Sequence, residues 1–395
     1  LGTFSAFGAG APPSYLATSM YRNNTTDFKL ESFGIFGEVY VDITDRLQFT
    51  GGIRYNDDSK SVAARTTYAS FLNPFGNVEP FTSPFVGSFD ADAGTPGNQL
   101  LQQREVSFDA ITGRAVLDFA ISPDNNLYFS YSRGYKSGGW LASNGLTPFP
   151  YADAEYVDNY ELGLKKTWGG VFQLNTALFY ADYQGFQAPL TVVLNSTTGS
   201  TGTQFLNLEA RNWGLEVEGQ WAPVQGLQLF GSYAYINAEI TEGCCYVDTN
   251  DPRALQPNAR PVGAPLANGS RNQSLVGSRL PMTPEHKVNV GGNYTMDFTA
   301  GSLTLGATYT YTDDMQTGVF GSPRYTAPSN EIVDLRALWK DVEDRFTIIG
   351  YVKNATDEVA YQSSSPSSVT GIGTFRQTVK LNFPRTFGVE LQYRF

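Results

Sequence analysis

From residue 33 onward apolar side chains recur at every second position over runs of about ten residues, with polar or small ones between them. Successive strand side chains point to opposite faces, so a period of two predicts strands with one apolar and one polar face. Thirteen such segments are predicted, near 33–41, 47–56, 109–119, 126–136, 157–168, 171–186, 211–221, 227–240, 286–298, 302–313, 331–340, 346–356 and 385–395. The last is the plainest: Phe387, Val389, Leu391, Tyr393 and Phe395 share one phase, Gly388, Glu390, Gln392 and Arg394 the other. Connections alternate strictly between short and long. The short ones, 42–46, 121–125, 169–170, 222–226, 299–301 and 341–345, have the Gly, Pro, Asp and Asn content of tight turns. The long ones cover 57–108, 137–156, 187–210, 241–285, 314–330 and 357–384.

Each segment entering a short turn closes its apolar phase on a large apolar residue: Val41, Phe119, Trp168, Trp221, Phe298, Trp339 and finally Phe395. Tyr55, Tyr180, Tyr235 and Tyr311 stand near the far ends of the returning segments. Amphipathic rings settle at lipid headgroups, so rows of them bounding an apolar band mark two membrane interfaces. The opposite phase carries Glu38, Arg54, Arg114, Glu161, Lys165, Glu216, Glu218, Asn289, Arg336, Glu390 and Arg394. That many charges cannot enter a dry core. The expected fold class is therefore all-β: a transmembrane antiparallel β-barrel with a wet or plugged interior. Residues 31–395 are its barrel portion, with outer-membrane lipid around it, long loops extracellular and short turns periplasmic. Residues 1–30 are expected to be an irregular extracellular segment or the end of an upstream strand. Counting back from Phe395, the segment 33–41 runs toward the periplasm. An even strand number then needs either an upward strand within 14–30 or further strands upstream, and the second is favoured.

Composition narrows the classes. Charged residues are 16%, against roughly 25% in soluble domains. No run of about 18 apolar residues occurs, so no transmembrane helix is expected. A net charge of −11 argues against a nucleic-acid partner. The only two cysteines, Cys244 and Cys245, are adjacent, which is no metal-site spacing. They are read as a vicinal disulfide, or as partners for cysteines elsewhere. The single histidine, His286, is given a structural role. A nucleophile without a base is inert, so no enzyme, cofactor or metal is expected. Asp153, Glu155 and Asp158, like Asp248 and Asp251, lack calcium-loop spacing and are read as solvated charge.

Six stretches together resemble a known family. They are 32–40 with 47–55, 128–139 (Tyr128-Phe129-Ser130-Tyr131-Ser132-Arg133-Gly134-Tyr135-Lys136-Ser137-Gly138-Gly139), and 157–165, with Glu161-Leu162-Gly163-Leu164-Lys165 as E-x-G-x-K. Gly214-Leu215-Glu216-Val217-Glu218 follows as G-x-E-x-E, and Asn354-Ala355-Thr356-Asp357 as N-x-x-D. In this order they resemble the barrel of TonB-dependent outer-membrane receptors. The resemblance implies about 22 strands, of which these would be roughly the last thirteen. It also implies an amino-terminal plug engaging TonB, neither of which is recognisable here. Glu161, Glu216, Glu218 and Arg336 would then face the plug by ion pairs, or else line water. Phe395 resembles the terminal aromatic read by the barrel-assembly machinery.

The long loops are rich in rings: Tyr68, Phe71, Phe75, Phe81, Phe85 and Phe89 in one, and Tyr135, Lys136, Trp140, Phe149 and Tyr151 near another. One reading makes the second set a cradle for a planar, partly aromatic ligand such as a catecholate iron chelate, with Arg133 and Lys136 meeting its charge. The other packs the rings on each other over the mouth. The implied function is uptake of a scarce nutrient, foremost a ferric siderophore. The alternatives are a passive porin-like channel and a structural barrel in a surface assembly.

Overall fold

The structure, a computed structural model, describes residues 20–69, 102–140, 151–195, 200–368 and 375–395. Thirteen strands form one antiparallel sheet in sequence order. They are β1 (Met20–Thr44), β2 (Leu47–Ala69), β3 (Gln102–Ser122), β4 (Asn125–Lys136), β5 (Glu155–Trp168), β6 (Phe172–Asn195) and β7 (Ser200–Val224). β8 (Leu227–Glu242), β9 (His286–Phe298), β10 (Gly301–Thr312), β11 (Asn330–Asp341), β12 (Phe346–Lys353) and β13 (Thr386–Tyr393) complete it. Among the described residues β1 and β13 each keep one unpaired edge.

The register separates the two phases. Across β4–β8, Phe129, Leu162, Leu178, Leu215 and Tyr235 lie side by side. Three positions away, on the opposite phase, Asn126, Lys165, Asn175, Glu218, Ser232 and Asn289 form a polar row from β4 to β9. Ile53, Ile111, Leu178 and Leu305 are exposed on the apolar face. Soluble monomers rarely leave so continuous an apolar surface in water. Toward the long loops that face turns charged at Asp57, Asp109, Arg133, Asp158, Asp182, Arg211 and Glu239, the last five directly opposite one another across β4–β8.

Tight turns join the strands at the other end. Gly169 and Gly170 adopt φ of +54° and +70°, the left-handed pair that a two-residue hairpin matched to strand twist requires. Near these turns lie Trp168 against Phe172, ring centres 5.1 Å apart, and Tyr393 against Phe395 at 5.1 Å. Phe119, Trp221 and Phe298 are exposed on the apolar face, and Trp339 is half-buried there between Leu303 and Ile348.

Two expectations are corrected. Of residues 1–30, expected to be irregular or the end of an upstream strand, 1–19 lie outside the described residues and 20–30 are strand: β1 begins at Met20 and pairs with β2 as far as Ala69. The expected loops 57–108 and 187–210 likewise open with continued pairing, β2 reaching Ala69 and β6 and β7 meeting at Asn195 and Ser200. Backbone hydrogen bonds need no apolar phase, so strands continue where alternation fades.

The close-packed core lies beyond the band. The phase carrying Glu216 and Glu218 becomes apolar at Ala210 and Leu208, and Ala188, Leu190, Ala238 and Ile240 join it. Tyr246, Leu275 and Leu280 of the segment 241–285 pack onto this patch, so the segment folds inward over the polar face.

Candidate functional site at the mouth of the barrel

The polar wall is built from interlocked side chains. Tyr128 of β4 lies over Gly163 of β5, where a Cβ would collide with its ring. Its hydroxyl donates to Glu161 at 2.5 Å, and the Lys165 ammonium lies 5.3 Å from the ring centre. One tyrosine thus accounts for all three fixed positions of E-x-G-x-K. Across Gly52, Arg114 donates twice to the Glu38 carboxylate, both at 2.8 Å. A cavity of about 280 Å³ opens on this wall, lined by Tyr128, Lys165, Glu216, Glu218 and Lys287 among others. Glu216 and Glu218 line it directly, and Glu161 adjoins it through Tyr128. Arg336 stands apart on β11, opposite Gly306 and Tyr351.

The N-x-x-D motif is a knot at the exit of β12. Asn354 is buried, with its amide donating to the carbonyls of Glu358 (2.9 Å) and Phe383 (3.2 Å) and its oxygen accepting from the Glu358 N–H. Asp357 accepts from the Arg385 N–H at 2.8 Å. These bonds fix the chain leaving β12 to the chain entering β13.

At the mouth the residues singled out divide. Arg133 shares the phase of Phe129 and Tyr131, pairs with Asp158 at 3.7 Å and lies 5.0 Å from the Tyr156 ring centre. Tyr135 lies against Tyr156 with the rings tilted, their centres 5.6 Å apart. Lys136 falls on the polar phase, 3.6 Å from Glu155. Trp140 pairs by backbone with Tyr151, its side chain lying outside the described residues, as does all of Phe149. The six rings of the 57–108 loop also lie outside them, apart from the backbone of Tyr68.

Residues with no sequence signal hold the mouth together. Gln187 of β6 donates to the carbonyls of Ser137 (3.1 Å) and Asp153 (3.0 Å), and Asn207 of β7 donates to those of Asp153 (3.0 Å) and Gly185 (2.7 Å). The connection after β4 is thereby held against β6 and β7. Its other side touches β2 and β3: the Lys60 ammonium donates to the Gly138 carbonyl, and the Phe108 ring packs on Gly138. Burial holds the Lys60 ammonium below the usual lysine range, the nearby Lys136 charge adds to this, and Asp58 opposes it. Both lysine neighbours sit where periodicity had faded, so only pairing could reveal them.

A second fastening joins the segments 241–285 and 314–330. Tyr325 donates to the buried Asp248 at 2.8 Å and accepts from Asn250 at 2.8 Å. Burial pushes both the Tyr325 hydroxyl and the Asp248 carboxyl upward. Asp251 caps the N–H groups of Leu255 and Gln256 at 3.0 and 2.7 Å. These carboxylates hold polypeptide, and the described residues contain no cluster of three or more metal-ligating side chains. Cys244 and Cys245 are joined as a disulfide, exposed on the same segment. His286 has its Nδ1 2.9 Å from the Tyr233 hydroxyl and its ring 5.2 Å from that of Tyr235, a packed position on the apolar face.

Comparison with known proteins gives one consistent picture. A family model described as TonB-dependent receptor-like β-barrel matches residues 2–355. The pesticin receptor of Yersinia pestis is 24% identical over 289 residues, covering 71% of this chain and 36% of that protein. Among solved structures, the ferric yersiniabactin uptake receptor FyuA from Yersinia pestis superposes with a TM-score of 0.69 at 18% identity, over 96% of this chain and 47% of its own. The ferric-catecholate import receptor Fiu from E. coli K12, in its closed form, gives 0.60 at 17%, over 93% and 45%. The chain thus spans about half of these solved receptors and about a third of that curated relative.

Proposed function

The chain belongs to the TonB-dependent receptor β-barrel family, and on that premise we propose that it builds the wall of an outer-membrane receptor importing a scarce nutrient, foremost a ferric siderophore. The sheet carries the reading: an exposed apolar face for lipid backs onto a charged face lining a lumen. Long connections face the cell exterior and short turns the periplasm. Glu161, Glu216, Glu218 and Arg336 meet a plug, through which TonB acts, and Phe395 is read during assembly. The ferric yersiniabactin uptake receptor and the ferric-catecholate import receptor, to which the fold is similar, support an iron chelate as cargo.

Deleting the gene and measuring uptake of radioactive iron, presented on a panel of chelates to cells with and without functional TonB, tests this. Uptake of at least one chelate is expected to be lost on deleting the gene, and to be absent already in cells without functional TonB. Persistence of every uptake after deletion, or independence from TonB, sinks the proposal. A large steady conductance of the purified barrel in a planar bilayer would instead mark a diffusion channel.

A further inference from the structure

On the apolar face of β9–β12 the side chains thin out along one diagonal. Gly292 and Ala307 are partners across β9 and β10. Two residues nearer the short turns, Ala337 and Gly350 are partners across β11 and β12. Each stands between two large residues of its own phase, as Ala337 does between Leu335 and Trp339 and Gly350 between Ile348 and Val352. The surface there sinks into a hollow of about 1060 Å³, lined on this face by these four and by Leu305, Leu335 and Phe387 among others. That is just above the roughly 300–1,000 Å³ of ligand-sized cavities. A Cβ on Gly350 would meet no neighbouring atom within 4 Å, so the floor is open.

Side chains of one phase stand ~7 Å apart along a strand, so the trough is one side chain wide; four strands ~4.8 Å apart make it about 15 Å long. An α-helix, ~10 Å across, is too broad to enter. One extended alkyl chain fits, and 15 Å is about half the ~30 Å of bilayer hydrocarbon, the reach of a single leaflet. Lipid tails are as apolar as this wall, so no hydrophobic gain holds a chain there. Packing does: an empty trough forfeits the dispersion contacts of its lining, and a chain lying in it is touched on three sides.

We propose that this trough seats one acyl chain of a phospholipid from the periplasmic leaflet. Trp339 and its register partners Leu303 and Ile348 lie directly below Ala337, beside the short turns, which sets the leaflet. The inference rests on the membrane reading above and is independent of any cargo.

Native mass spectrometry of the full-length receptor, in mild detergent with added dipalmitoylphosphatidylethanolamine, tests it on variants that retain heat-modifiable migration in gels. One phospholipid per receptor is expected to survive activation that strips the rest. Gly350→Phe and Ala337→Leu, which fill the trough, are each expected to lower the retained fraction roughly tenfold. Leu178→Phe, on the same face of β6, is expected to leave it unchanged. No retained lipid on the unaltered receptor, or undiminished retention in the filled variants, overturns the seat. So does tighter retention of lipopolysaccharide than of the phospholipid, or a receptor dimer that the filled variants abolish. A receptor that does not insert into phospholipid vesicles at all brings down the membrane reading, and the seat with it.

Discussion

Single residues explain the family signatures better than any ligand does. Tyr128 and Gly163 occupy one space, so a side chain at 163 must displace the ring, its bond to Glu161 and its contact with Lys165. Gly163→Leu should cost about 1–3 kcal/mol as overpacking, read as an earlier heat-modification midpoint. Tyr128→Phe, losing only the hydroxyl, should cost about 1 kcal/mol. The motif was visible in the sequence; the tyrosine that gives it meaning, thirty-odd residues earlier, was not linked to it by spacing. Asp248 makes a pH prediction. Burial raises its carboxyl, so the folded state favours the protonated form more than the unfolded chain does. The stability this group contributes is present at acid pH and lost as pH rises through the raised value. Proteolysis of the 241–285 segment should therefore slow as the pH is lowered through the raised value, relative to Asp248→Asn.

At the scale of elements, all thirteen strands had a counterpart in the pattern, because lipid on one side and water on the other impose the period. The upper parts of β1 and β2 had none, for Met20–Leu30 and Asp57–Ala69 are held by backbone pairing that needs no apolar period. The inward-folded segment was equally hidden: its core joins Ile240 and Ala210 to Leu275 across sequence distances no period spans. Ile240 is fully buried there. Ile240→Ala should loosen this cap by about 2–5 kcal/mol, exposing 241–285 to protease while barrel heat-modification is unchanged. Asn354→Ala removes the side-chain donor to the Phe383 carbonyl and one of two to the Glu358 carbonyl, and the stretch between β12 and β13 should be cut faster.

For the molecule as a whole, which face a residue takes matters more than its depth in the chain. Leu305→Arg, on the apolar phase, should cost about 2–4 kcal/mol in folding into lipid vesicles, against close to none for Thr308→Arg on the polar phase. The mouth was the least legible region, because its fastenings Gln187 and Asn207 act on backbone carbonyls and leave no mark in composition. The row Arg133, Asp158, Asp182, Arg211 and Glu239 has a consequence for the surrounding lipid. It is a waterline written into five adjoining strands, below which lies oil. A bilayer too thick for that mark cannot be met by sinking the wall, which would drag charges under; the acyl chains must instead thin around it, at a fraction of a kcal/mol per ångström.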